Sequence, residues 1–477
     1  MTRSKPAKAS ERLRQPQPYL RTRLPSGRGA TEQPNVTGDG EAALSPRFWL
    51  ALVLTGVATG LLGVALMALL FHVESAAFGY HRGDFQSGVE AASALRRVTS
   101  LLIAGVFGGI AWFLLRRYTP GKKSEIDDVL WSQSGELSVR RSTGSSIISE
   151  IVIGMGVSLG REAAPKTMGG LSGGLLGRWF GLSGAQQRLL IACGGGAGLA
   201  AVYNVPLGGA FFTAEILVGS VSIATMLPAL ACCGIATVTA WVYLPNQATY
   251  LDVPGYHVSP ALLVWALLAG PLIGLGAAGY IRGIGWLSHH RITGTPSLFA
   301  PLVAFGALGV IGIAYPQLFG NGKDMAHDAF LGGGTIGFLL VLAVLKPAVT
   351  ALCLASGASG GLFTPVMSTG AVLGGGLGLV WTHLWPGTPV GAYAMVGAAA
   401  MIGCAMQAPI TGLALVLELT HSGFGLMTPM IIATVIATAA VRYLDGYSIY
   451  SARLPARPAA PGPAAVPADG SGGLGDR

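Results

Sequence analysis

Apolar runs follow one another along this chain with little charge between them, at 48–73, 98–116, 143–160, 188–203, 206–245, 260–287, 298–318, 330–355, 366–382, 389–419 and 424–443. Only 11% of the 477 residues are charged and 51% are hydrophobic, whereas a soluble domain carries about 25% charge. That is too little charge to wet an aqueous surface, so a polytopic membrane protein is expected. A spanning helix needs about 20 apolar residues, and several runs are shorter or are broken by Gly or Pro. Broken helices are tolerated at membrane depth where they are buried in protein or line a cavity. The 72 glycines stand in apolar runs without a G-X-Y period, which suits close helix packing in lipid. The fold class expected is all-α and membrane-embedded.

Residues 1–45 are polar and rich in Pro and Arg, too poor in apolar residues to pack, and read as a disordered tail. Arg3, Lys5, Lys8, Arg12, Arg14, Arg21, Arg23 and Arg28 place that tail in the cytoplasm by the positive-inside rule. A solvated tail beside the membrane explains it better than a nucleic-acid-binding arm. The apolar run beginning near Pro46 is too long to be the core of a signal peptide. Residues 46–454 form the transmembrane domain, and 455–477, rich in Pro, Ala and Gly without periodicity, read as a second tail. The five cysteines lie in or beside apolar runs with no CxxC pair, which fits small buried hydrophobes and no disulfide framework. The histidines show no ligand spacing, so neither a metal nor a cofactor is expected.

The chain also repeats itself. Cys193-Gly-Gly-Gly-Ala-Gly-Leu-Ala-Ala-Val-Tyr-Asn-Val-Pro206-Leu-Gly-Gly209 aligns with Val396-Gly-Ala-Ala-Ala-Met-Ile-Gly-Cys-Ala-Met-Gln-Ala-Pro409-Ile-Thr-Gly412. Pro206 meets Pro409, Gly209 meets Gly412 and Glu215 meets Glu418, all at an offset of 203 residues. Upstream, Gly160-Arg161-Glu162 leads to Gly169 as Gly361-Leu362-Phe363 leads to Gly370. Two halves broken by Gly and Pro in corresponding places point to a central binding site between the halves; an inverted repeat is the arrangement expected, though spacing alone does not give its sense.

The chemistry concentrates at those breaks. In Ser158-Leu159-Gly160-Arg161-Glu162-Ala163-Ala164-Pro165-Lys166, a charged pair follows an apolar run and precedes a Gly-rich helix starting near Ala163. Ionisable residues at membrane depth are costly and mark function. Free amides at a helix start favour an anion, and a carboxylate beside them imitates one, blocking the place when ionised and leaving it when protonated. The bland reading is a capping pair at the membrane interface. Ser359-Gly360-Gly361-Leu362-Phe363-Thr364-Pro365 opens a second such helix and could supply the opposite side of the same place. Tyr450 offers a neutral hydroxyl that holds an anion without trapping it, although such a tyrosine also serves as an interfacial anchor.

Taken together and in this order, these elements resemble the chloride channel (CLC) family over roughly residues 48–454. Gly160-Arg161-Glu162 is similar to its G-[KR]-E-G-P element, and Gly361-Leu362-Phe363-Thr364-Pro365 to its G-x-F-x-P element. Ala408-Pro409-Ile410-Thr411-Gly412 with Leu415-Val416-Leu417-Glu418 resembles the next core helix, and Tyr450 falls at the pore tyrosine. The resemblance implies a gating role for Glu162. It implies anion binding by Gly160, Arg161, Ala163, Gly361, Leu362, Phe363 and Tyr450, in a homodimer with one pore per subunit.

The sequence departs from the family pattern in three places. The proline of the gating element comes one residue late, at Pro165. Where the family has G-S-G-I-P, this chain has Pro120-Gly121-Lys122-Lys123-Ser124. Gly121, Lys122 and Lys123 are therefore candidates for a charged pore mouth, or for an ordinary loop. Glu215 is followed by Ile216, where proton-exchanging members usually carry a second glutamate. Glu150 is another candidate proton carrier, or else a buried structural carboxylate.

Two rivals account for less. Gly357-Ala358-Ser359-Gly360 with His421 fits the GxSG of a rhomboid protease, but leaves the repeat without a role. A carrier of organic solutes needs a larger pocket than helix-end amides suggest. The expectation is no enzyme, but passage of chloride or a similar small anion across the cell membrane. A passive channel gated by Glu162 stands first, and a proton-coupled antiporter is the alternative.

Overall fold

The computed structural model describes residues 45–80, 84–121, 126–131 and 137–453. Lys122, Lys123 and both tails, apart from Ser45, lie outside the described residues. Gly121, which ends the segment before them, is exposed with φ of 68°. The first half contains α1 (Pro46–Phe78), α2 (Phe85–Ala91), α3 (Ala94–Tyr118), α4 (Ile126–Trp131) and α5 (Val139–Gly154). It continues with α6 (Ala163–Trp179), α7 (Gly184–Tyr203), α8 (Pro206–Phe212) and α9 (Ile223–Ala240). The second half contains α10 (Pro260–His289), α11 (Ala300–Ala314), α12 (Lys323–Phe330) and α13 (Ile336–Ala355). It ends with α14 (Phe363–Thr382), α15 (Val390–Met406), α16 (Pro409–Thr420) and α17 (Met427–Leu444). Among the described residues seven helical segments are long and apolar enough to cross a membrane: α1, α3, α9, α10, α13, α14 and Phe424–Leu444.

The helices sort by what covers them. Long outer helices keep large apolar side chains exposed, such as Leu50 and Leu61 on α1 and Leu272 and Leu275 on α10. In a membrane those faces meet lipid. By contrast, every residue from Leu189 to Tyr203 on α7 and from Gly391 to Met406 on α15 is buried. A helix apolar on all sides belongs inside the bundle, which is why these two short runs carry no polar face.

The repeat is visible in backbone angles. After α7 the chain turns through Asn204 (φ 57°, ψ 48°) and Val205 (φ −130°, ψ 65°) before Pro206 opens α8. After α15 it turns through Gln407 (φ 57°, ψ 36°) and Ala408 (φ −135°, ψ 72°) before Pro409 opens α16. Proline suits a first helical position, where its missing N–H has no partner to lose. The apolar runs 206–245 and 389–419 are therefore each two elements. The first breaks after a π-helical turn, Thr213–Val218, at left-handed Gly219; the second breaks at Gln407.

Reciprocal caps tie the two halves together. On α16, the Glu418 carboxylate accepts hydrogen bonds from the amides of Leu207 (2.9 Å) and Gly208 (2.5 Å) at the start of α8. In the π-turn, the Glu215 carboxylate accepts from the amides of Ile410 (3.2 Å) and Thr411 (2.6 Å) at the start of α16. The Thr411 hydroxyl adds a third bond to Glu215, at 2.7 Å. Each half thus places a negative charge on the orphan amides of the other half's helix start, where the helix dipole favours it. The next residue, Ile216, is buried among apolar neighbours.

Candidate anion pathway

The starts of α6 and α14 meet at the centre of the bundle. Gly160 and Gly361, equivalent positions in the two halves, form an isolated antiparallel bridge. The Gly160 amide donates to the Gly361 carbonyl (2.8 Å), and the Gly361 amide to the Gly160 carbonyl (2.7 Å). Equivalent segments that pair antiparallel are what an inverted repeat brings to its axis. A Cβ built on either glycine would run into the Glu162 carboxylate, so only glycine leaves that side chain room.

Glu162 stands at the N-cap of α6 without capping its own helix. Its carboxylate instead crosses to α14 and accepts from the Phe363 amide at 2.8 Å. The other oxygen accepts from the Tyr203 hydroxyl (3.2 Å) and the Thr364 hydroxyl (3.3 Å). The side chain is buried. An ionised carboxylate on a helix-start amide, away from water, occupies the place where an anion of similar charge would gain most.

Two cavities approach this group. A narrow one, of about 30 Å³, is lined by Glu162, Ala163, Lys166, Gly361, Leu362 and Tyr450, and by Ser145, Ser146 and Ser149 from α5. A wide one, of about 360 Å³, is lined by Glu74, Tyr80, Asp84, Arg161, Asn321, Lys323 and Asp324. Between them, Asn321 donates to the Tyr203 hydroxyl (3.4 Å), which donates in turn to Glu162. The carboxylate therefore sits at the end of a short polar file linking the two spaces.

The residues singled out in the sequence separate into two groups. Ala163, Gly361, Leu362 and Tyr450 share the narrow cavity with Glu162, and Phe363 supplies the amide that holds it. The amides of Gly160 and Gly361 are spent on each other's carbonyls. Arg161 turns away to the wide cavity, its guanidinium 5.2 Å from the Tyr203 ring centre and 5.8 Å from that of Phe71. The late Pro165 lies in the first turn of α6, where a missing N–H is harmless. Glu150, on α5, is wholly buried, and neither carboxylate oxygen has a hydrogen-bond partner among the described residues. The Ser359 of the GxSG match lines the narrow cavity, whereas His421 is exposed at the end of α16.

Sequence reasoning missed Tyr203, Thr364, Lys166 and the serines of α5. A signal existed for the serines, since Ser142, Ser145, Ser146 and Ser149 recur at helical spacing in an apolar run. Tyr203 carries the clearest test. Replacing it by Phe removes a donor to the Glu162 carboxylate and leaves the ring in place. Losing a hydrogen bond to the charged form favours the neutral one. The pH of half-maximal anion flux should therefore move upward in Tyr203→Phe, by about half a unit or more, in proteoliposomes. An unmoved profile would show that the Tyr203 hydroxyl does not influence the group that sets the pH dependence of flux.

An all-helical bundle of two related halves, closed around a carboxylate on a helix-start amide, defines a membrane transport protein. The family described as "Voltage gated chloride channel" matches residues 107–442, and the chain belongs to that family. The H(+)/Cl(-) exchange transporter ClcA of Yersinia pseudotuberculosis serotype IB is 28% identical over 428 residues, covering 84% of this chain and 85% of that protein. The ClcA of Cronobacter sakazakii is 28% identical over 432 residues, covering 83% and 87%. The crystal structure of a slow cyanobacterial Cl-/H+ antiporter shares the fold with a TM-score of 0.75 at 23% identity, over 86% of this chain and 97% of that one. A CLC-type fluoride/proton antiporter superposes with a TM-score of 0.67 at 20% identity, over 85% and 97%.

Proposed function

We propose that this protein exchanges chloride, or a similar small anion, for protons across the cell membrane. We further propose that it works as a homodimer with a complete pathway in each subunit and its N-terminal tail in the cytoplasm. The observation that carries the exchange reading is the seat of Glu162. One titratable group occupies the Phe363 amide, so protonation of Glu162 and anion binding at that amide compete for one place. When the carboxylate takes a proton it loses its claim on the amide and an anion can enter. When the anion leaves, the ionised carboxylate can return. This is the physical ingredient of exchange.

The ClcA relatives are exchangers by name, which supports the antiporter reading of the sequence over the passive channel placed first. Ile216 favours the channel, being apolar and buried where proton-exchanging members usually carry a second glutamate. The two readings part in one measurement. In liposomes holding purified protein, a pH gradient shifts the anion reversal potential of an exchanger and leaves that of a channel unchanged. No shift would overturn the exchange reading. For the dimer, light scattering in detergent should give twice the 48.7 kDa of one chain.

A further inference from the structure

We propose that Lys346 is a positioning residue for the gate, its ammonium clamping the loop that leads to Glu162 against the loop that leads to Asn321. This rests on the gating role proposed for Glu162 and goes beyond it.

Lys346 lies in the middle of α13 and is wholly buried. A lysine has three N–H donors, and here each finds an acceptor. Its Nζ donates to the Ser158 hydroxyl (2.9 Å) and to the carbonyls of Leu318 (3.2 Å) and Gly320 (2.8 Å). Ser158 stands in the turn between α5 and α6 that leads into Glu162. Leu318 and Gly320 lead into Asn321, which donates to the Tyr203 hydroxyl, a donor to Glu162. Both arms that meet at the carboxylate therefore start from one ammonium. The Gly320 amide also donates to the Gly156 carbonyl (3.0 Å), so the two loops touch, and the lysine fixes how they stand. A Cβ built on Gly322 would run into the Lys346 stem and the Ser368 hydroxyl, so the stem packs directly beneath the turn that carries Asn321.

The repeat shows that this clamp belongs to one half only. At the offset of 201 residues that relates Gly160 to Gly361, Ser158 matches Ser359 and Ser149 matches Thr350. Ser149 on α5 donates to the Ser359 carbonyl (2.7 Å), and Thr350 on α13 meets the Ser158 hydroxyl (3.4 Å). Each half thus crosses to the other through the same pair of positions. By the same offset Lys346 matches Ser145, and Ser145 borders the narrow cavity. Where the first half has a small side chain beside the pathway, the second has a lysine filling the space between two loops. Among the described residues, the titratable groups facing Glu162 include Lys166, Glu150, Tyr203, Tyr250 and Tyr280. Lys346 hydrogen-bonds to none of them, so it acts on the gate through position.

The test reads the pH dependence of anion flux per folded protein in proteoliposomes. Lys346→Met keeps most of the stem and removes all three donors. Asn321 is then no longer held against Tyr203, whose hydroxyl loses its aim at Glu162. The pH of half-maximal flux should move upward by about half a unit, as in Tyr203→Phe. In the Tyr203→Phe background Lys346→Met should move it no further, because the arm it positions has lost its hydroxyl. An unmoved midpoint with a lowered melting temperature would leave Lys346 a purely structural role and overturn the proposal. A full second shift on top of Tyr203→Phe would overturn it as well. Should Lys346→Met fail to fold, Ser158→Ala cuts the tie on the Glu162 side while the lysine keeps both carbonyls. An upward shift there supports the clamp, and an unmoved midpoint overturns it. Glu162→Gln, measured in parallel, separates the two ideas: a wild-type pH profile in that variant would sink the gating reading, whereas a flattened one beside unmoved Lys346 and Ser158 variants sinks the clamp alone.

Discussion

Replacing Glu162 by Gln should abolish proton transport while anion flux continues. The amide has nearly the same size as the carboxylate and can still accept from Phe363, so the bundle has no reason to rearrange. It carries no charge, however, and cannot bind or release a proton near neutral pH. The competition at the Phe363 amide then runs between a neutral side chain and an anion, and the anion wins. In proteoliposomes, anion-driven proton movement should fall to the leak of protein-free vesicles. Anion efflux should persist and lose most of its pH dependence. A residual proton flux close to wild type would place the exchanged proton elsewhere, with the buried Glu150 as the first group to test. Anion efflux keeping the wild-type pH profile would remove Glu162 from the gate altogether.

How much of this arrangement was legible in the sequence follows from how local each contact is. The helix starts at Ala163 and Phe363 were legible because a Gly-rich break in an apolar run is costly in lipid unless it lines a cavity or packs inside protein. The pairing of Glu215 with Glu418 was legible as a repeat, since both halves preserve the offset. Its meaning was not, because each carboxylate caps a helix about 200 residues away. Tyr203 was hidden for a similar reason. It reads as the apolar end of α7, and only the approach of α14 and Asn321 gives its hydroxyl partners. Arg161, next to Glu162 in sequence, was expected to share its site. Successive residues at the start of a helix diverge, and the arginine turns to the other cavity. Lys166, four residues along, comes back to the same face.

The reciprocal caps lead to the second large effect, on stability. In Glu418→Ala the amides of Leu207 and Gly208 lose both of their charge-assisted bonds. No side chain at the start of α8 replaces them: its N-cap is Val205, which makes no capping bond, and its first residue is Pro206. A charged hydrogen bond contributes about 1.5–3 kcal/mol, and an N-terminal cap about 0.5–2 kcal/mol. Losing this pair should therefore cost about 2–4 kcal/mol. α8 packs against α7, which ends in Tyr203, a donor to Glu162, so the damage would reach the Glu162 site as well as the fold. The expected result is a melting temperature lowered by several degrees in detergent, with reduced anion flux per folded protein. Glu215→Ala should behave alike, because its carboxylate does the same for Ile410 and Thr411. Glu418→Gln retains an acceptor but no charge, so it should fall between wild type and Ala. If Glu418→Ala melts with wild type, water reaches the freed amides and the caps are not what joins the halves. If Glu418→Ala alone is unstable and Glu215→Ala is not, the repeat is symmetric in shape but not in energy.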